Sequence, residues 1–224
     1  VNDHKVHFIY IVPADKEEAA TPAIENCAKH LQAWYKWQMN GKTFTLANPI
    51  VTVYHSTHEA AWFPNNPVDG ATEKGWYWSN SLAQARDLAG VHWSQPLDSY
   101  MLYVDTLPNP GQRAGGTKAR NTDSGIALLS GDDIASLMGI ANRHNWTQCR
   151  AIGGSGHELG HTFGLPHPAN HNPAAIMWTG YGRYPACILQ DADRAILDLN
   201  SFFSPGVPVT PPPGLCPFSR LPTP

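Results

Sequence analysis

Five residues in one unbroken run, His157, Glu158, His161, Gly164 and His167 of HELGHTFGLPH, have the types and the spacing for metal-assisted hydrolysis. On an α-helix, residues four apart lie on one face about one turn from each other, so His157 and His161 can aim two imidazole nitrogens at one ion. Glu158 points elsewhere, and its carboxylate is left free to hold a metal-bound water and act as general base. The third ligand has to come from beyond that face. Gly164 can adopt the left-handed conformation that ends a helix, and Pro166 discourages continuation, so the chain turns back and presents His167. Three imidazoles leave a fourth place open for water, which marks a catalytic zinc site. The expected cofactor is therefore one Zn2+. Rival chemistries find little support: there is no GxSxG elbow for a serine nucleophile, and GGSG at 153–156 lacks the GK[ST] of a phosphate-binding loop.

After His167, a short loop rich in Pro and Asn leads to Ala175-Ile176-Met177-Trp178. Together with the histidine run, this order resembles the metzincin clan of zinc endopeptidases, whose second mark is a methionine turn. The wording HELGHTFGLPH is most similar to matrixins and to secreted, matrixin-like bacterial peptidases, and the match spans residues 149–184. The resemblance implies that Met177 lies beneath the three imidazoles as an apolar floor without binding the metal. It also implies an α+β fold: a twisted mixed sheet with packed helices above a cleft, and a smaller irregular or helical subdomain below. Thr179 stands where some members of the clan carry a tyrosine, with Tyr181 and Tyr184 nearby. A specificity pocket behind the metal would be walled by residues after the methionine, here Trp178, Thr179, Gly180 and Tyr181. The activity implied is hydrolysis of peptide bonds in extended protein substrates by a water that Glu158 activates.

The elements that must position these groups are legible in part. Val6–Val12 alternates as a strand, and Ile24, Cys27, Leu31 and Trp34 form a helical stripe closed by Asn40-Gly41. Thr43–His55 reads as strand broken by Pro49, residues 60–96 as loop with several tryptophans, and Tyr100–Asp105 and Gly125–Leu129 as strands. An extended substrate would pair with an edge strand, for which Gly125, Ile126 and Ala127 are the candidates. A short helix over 132–142, capped by Ser130 or Asp132, precedes the metal-site helix from Gln148 to Phe163. Gly153, Gly154 and Gly156 in that helix each cost about 1 kcal/mol relative to alanine, which suggests close packing against a neighbour. Ala192, Ala195, Ile196, Leu199 and Phe202 outline a last amphipathic helix.

A chain of 224 residues with 42% hydrophobic content can bury one substantial core. Residues 1–204 are expected to form a single catalytic domain, with an upper part about 1–164 and a lower part about 165–204. The proline-rich residues 205–224 would be a tail or linker. A net charge of −3 without a basic stripe argues against nucleic acid, and no apolar run is long enough to span a membrane. The expected partner is a protein or peptide substrate, and the expected state a monomer. Cys27, Cys149, Cys187 and Cys216 form no CxxC pair, so disulfides are the expectation, with buried free thiols the alternative. Of three possible pairings, Cys149–Cys187 and Cys27–Cys216 are taken. Export is expected, and the chain opens at Val1 without a leader, as a mature form or excised piece would. Asp123, Asp132 and Asp133 could contribute to calcium binding but follow no regular loop pattern, and His171 is a weaker candidate ligand than His167. The rival function, suggested by eight tryptophans, is a catalytically weak or inactive zinc-containing module that binds glycan or protein through aromatic faces.

Overall fold

The computed structural model describes residues 3–210 and Cys216. In chain order the elements are β1 (Lys5–Val12), α1 (Thr21–Gln38), β2 (Lys42–Thr43), β3 (Thr45–His55), α2 (Trp62–Asn65), α3 (Glu73–Ala89), β4 (Asp98–Val104), β5 (Gly115–Lys118), β6 (Gly125–Leu129), α4 (Gly131–Leu137), α5 (Gln148–Thr162), a 3-10 turn (Gly180–Arg183), α6 (Asp191–Leu199) and β7 (Ser204–Pro205). Five strands form one mixed sheet in the order β3-β1-β4-β6-β5, parallel except for the last, which runs antiparallel to β6.

Alternation along the central strands divides two cores. Phe8, Tyr10, Met101, Tyr103, Ala127 and Leu129 face α1 and α5, whereas Ile9, Ile11, Leu102, Val104, Ile126 and Leu128 face the layer containing Phe63 and Tyr77. Strands buried on both faces read as continuous apolar runs, as GIALL does. The α1 stripe is fully enclosed at Ile24, Cys27, Leu31 and Trp34. Pro49 accompanies a register shift in edge strand β3, where Val6 faces Leu46 but Phe8 faces Val51.

Several expectations are corrected. The 60–96 stretch contains the 17-residue helix α3, whose inward face carries Asn80, Ser81 and Gln84 beside Tyr77 and Ala85. These polar residues hide the apolar period from the sequence; Asn80 donates to the Phe63 carbonyl and Ser56 donates to Gln84. Gly125, Ile126 and Ala127 are no edge, because β6 is paired on both sides and buried throughout. The edge on that side of the sheet is β5, GGTK, too short and glycine-rich to register as a strand. In α6 the buried residues are Asp193 and Leu197, while Leu199 is 88% exposed. Asp193 turns inward because its carboxylate accepts the Gln190 N–H at the helix start.

The cysteine pairing also differs. Cys149 is bonded to Cys216, and Cys27 and Cys187 are buried free thiols. Cys27 lies on the inner stripe of α1 beside the Tyr103 hydroxyl, so the core encloses it away from any partner. Of the proline-rich tail, Ser204–Pro205 pairs with β2 and the Val207 carbonyl accepts Lys36 Nζ; 211–215 and 217–224 lie outside the described residues. No helix among the described residues is long and apolar enough to cross a membrane.

Candidate metal centre

Helix α5 starts at Thr147, whose hydroxyl accepts the Arg150 N–H, and it stops where the sequence provides for a stop. Gly164 takes φ +91°, and the Leu165 N–H reaches back to the Gly160 carbonyl. This reversal brings His167 over the helix. The Nε2 atoms of His157, His161 and His167 form a triangle with sides of 3.1, 3.1 and 3.3 Å. Tetrahedral ligands about 2.0–2.1 Å from zinc stand about 3.3–3.4 Å apart, so the three residues fit that ion with little movement.

The outer ring nitrogens orient this triangle. His157 Nδ1–H donates to the Ile176 carbonyl (2.7 Å) and His161 Nδ1–H to the Leu165 carbonyl (2.8 Å), which leaves both Nε2 lone pairs facing inward. Burial lowers the pKa of both rings, favouring the neutral form that a metal requires.

Glu158 is held from the opposite side. Its Oε2 accepts the Gly116 N–H at 2.6 Å, and burial pushes its pKa up against the opposing effect of His161 and this hydrogen bond. Edge strand β5 therefore lies directly on Glu158. Only glycine permits it, since a Cβ at Gly116 would stand 2.1 Å from the Glu158 carbonyl oxygen. The Gly115-Gly116 pair was absent from the sequence-derived site; two adjacent glycines outside any turn signal a close backbone approach and could have pointed to it.

Met177 is fully buried, its sulfur occupying the space that a side chain at Gly160 would fill, between the two helical histidines. Of the four residues expected to wall a pocket, Tyr181 lines a cavity of about 260 Å3 that also touches His157 and Glu158. Its ring is 5.1 Å from that of His157. The other three stand outside this cavity: Trp178 stacks on His171 (4.5 Å), Thr179 is exposed, and Gly180 packs on the Ala174 carbonyl. The gathered ligand atoms are those of His157, His161 and His167, without His171. The close packing expected of the α5 glycines is seen at Gly153, whose missing Cβ would stand 2.2 Å from the Tyr181 carbonyl.

The acids considered for calcium hold protein partners. Asp132 is bound by Arg143, Asp133 by Ser130, and Asp123 by Ser201 and Lys118. Trp62 and Trp78 pack on the core face opposite α5, away from the histidines. Two further cavity residues, Trp146 and Arg150, were also missed, though their four-residue spacing is a signal for a cation over a ring. The Arg150 guanidinium carbon lies 3.5 Å from the Trp146 ring centre.

No family model matches the chain, and no curated protein does. Among solved structures, wild-type OgpA from Akkermansia muciniphila is similar at a TM-score of 0.59 and 19% identity, over 91% of this chain and 62% of that one. A catalytically inactive OgpA in complex with an O-glycopeptide substrate is similar at 0.61, with the same identity and coverage. Archaemetzincin from Methanopyrus kandleri is a looser likeness, with a TM-score of 0.45 and 17% identity over 88% of this chain and 96% of that one. The chain spans about three fifths of the length of OgpA, and the likeness is one of fold: a mostly parallel sheet with packed helices, here carrying a histidine triad suited to zinc.

Proposed function

We propose that the protein is a zinc-dependent endopeptidase of metzincin type, with residues 1–204 as one catalytic unit. The observation that carries the reading is the inward-facing triangle of Nε2 atoms beside a carboxylate that edge strand β5 holds in place. His157, His161 and His167 would hold the zinc, which would supply Lewis acidity and lower the pKa of water at the site towards about 7. Glu158, with Oε2 anchored on Gly116, keeps Oε1 free to take a proton from the attacking water and to return it to the departing amine. Met177 supports the helix beneath the histidines and excludes water from that side. Edge strand β5 offers its unpaired backbone groups to an extended peptide, and antiparallel pairing, the more stable kind, places the peptide's C-terminal half at the Gly115 end. The disulfide supports action in an oxidising, extracellular setting.

The test is cleavage of casein and of a peptide library by zinc-loaded protein. Wild type is expected to cut in a chelator-sensitive manner, and Glu158→Gln to retain zinc while losing at least about 100-fold in kcat. Full activity in that variant would sink the assignment. A second reading, that the substrate peptide carries an O-glycan, rests on the O-glycopeptide bound by inactive OgpA. Matched peptides with and without the sugar distinguish it; binding to glycan after metal removal, without any cleavage, would favour a binding module instead.

A further inference from the structure

The cavity beside Glu158 contains a cation that the proposed chemistry does not use. Arg150, on the first turn of α5, lies 3.5 Å from the Trp146 ring centre and 5.0 Å from that of Tyr181, so its guanidinium is pinned between two aromatic rings. Gly154, one turn on, leaves the room: a Cβ there would stand 3.0 Å from Arg150 Nη1. The group is half buried, and it forms no ion pair among the described residues. Glu158, which also lines the cavity and whose charge acts on Arg150, is held through Oε2 by the Gly116 N–H, and the other charges around the guanidinium are engaged. Arg143 grips Asp132 through Nε (2.8 Å) and Nη2 (2.6 Å), with His144 Nε2 3.5 Å from the same carboxylate. Asp133, the acid whose charge acts most strongly on Arg150, is buried and accepts both the N–H and the hydroxyl of Ser130 at 2.9 Å.

The Tyr181 side chain offers this guanidinium a hydrogen bond but no neutralising ion pair, and a guanidinium braced by aromatic rings and facing a cavity is preorganised for a two-pronged bond to a carboxylate. The place of this cavity matters as much as its charge. It is lined by Gly115 at the start of β5 and by Gly154 and His157 of α5; on the peptidase reading, a peptide antiparallel to β5 would send into it a group from the residue just after the scissile bond.

We propose that Arg150, braced by Trp146, makes this cavity select an acidic group on the substrate residue that follows the cleaved bond. The inference rests on the peptidase reading for the position of the cut, and on the cavity alone for its charge preference. Two sources offer the carboxylate: an aspartate or glutamate side chain, or an acidic sugar carried on that residue.

The experiment uses zinc-loaded protein and peptides identical except at the residue after the cut: glutamate, glutamine, serine with a neutral sugar, and serine with an acidic sugar. At least one acidic member is expected to exceed its neutral counterpart by about tenfold or more in kcat/KM, and whichever does so identifies the source. Arg150→Gln is expected to level each pair by slowing the acidic member more than its neutral counterpart; Arg150→Lys, which keeps the charge and loses the fork, falls between. Equal cleavage of acidic and neutral members, a preference confined to the residue before the cut, or a preference that survives Arg150→Gln would each overturn the proposal. Peptide binding to zinc-loaded Glu158→Gln, followed by calorimetry, separates the two readings. Tighter binding of the acidic members with no cleavage by wild type would refute the peptidase and sustain the charge selection.

Discussion

Replacing Gly116 with alanine tests the contact on which the base depends. The added Cβ would stand 2.1 Å from the Glu158 carbonyl oxygen, 2.9 Å from its carbon and 3.2 Å from its Cα. All three are backbone atoms of a helix, so none can swing aside as a side-chain end would. Strand β5 must therefore retreat by about 1.3 Å before the closest contact reaches ordinary van der Waals separation. The same movement stretches the 2.6 Å bond from the Gly116 N–H to Glu158 Oε2 to about 3.9 Å, beyond hydrogen-bonding range. A hydrogen bond to a charged group is worth about 1.5–3 kcal/mol, so if that restraint is felt mainly at the transition state, kcat falls by about 10- to 150-fold. The assay is steady-state cleavage of a quenched fluorescent peptide, with zinc content and thermal unfolding measured on the same preparation. Zinc is expected to remain stoichiometric, because the rings of His157 and His161 are oriented by the Ile176 and Leu165 carbonyls and not by β5. A variant with wild-type kcat and wild-type melting would refute the reasoning, since it would mean that β5 does not bear on the base.

Replacing His161 with alanine removes the ligand shared by the two shortest sides of the imidazole triangle, and zinc retained after dialysis, measured by atomic emission, is expected to fall well below one per chain; unchanged occupancy would reject it as a ligand. Under non-reducing conditions, peptide mapping is expected to recover Cys149 joined to Cys216, with Cys27 and Cys187 alkylated only after denaturation; Cys216→Ser, which reopens a loop of 67 residues, costs about 2–4 kcal/mol in denaturant melts. At Asp123 burial pushes the pKa up, but the Ser201 N–H and hydroxyl and Lys118 outweigh it and hold the carboxylate below its ordinary value. Its contribution to stability is therefore present above the unfolded pKa of about 3.9 and lost as pH falls through the folded value. Asp123→Asn should accordingly melt lower than wild type at neutral pH, with the gap closing below about pH 4; a gap that widened on acidification would reverse the sign.

Local chemistry was legible wherever the relevant groups are neighbours in the chain. His157, Glu158 and His161 share one helix, Gly164 ends it, and His167 follows at once, so spacing alone brings the ligands together. The strands β1, β4 and β6 were legible as strongly apolar runs, and the helix α1 by its regular apolar stripe. Helix α3 was hidden by a polar inner face whose hydrogen bonds are made to Phe63 and Ser56, residues distant in the chain. Edge strand β5 was hidden because GGTK has no strand pattern of its own; it takes extended form by pairing with β6 and resting on Glu158.

From residues 157–167 alone follow the proposed ligand set, the proposed base and the expectation of zinc, since one helical turn and one glycine reversal suffice to assemble them. Which strand is the edge, which cysteine meets Cys149, what grips Glu158 and which cation faces the neighbouring cavity were decided only by the tertiary structure. Each of those depends on segments far apart in sequence being packed against one another, and such contacts leave no local period or spacing by which the chain could announce them.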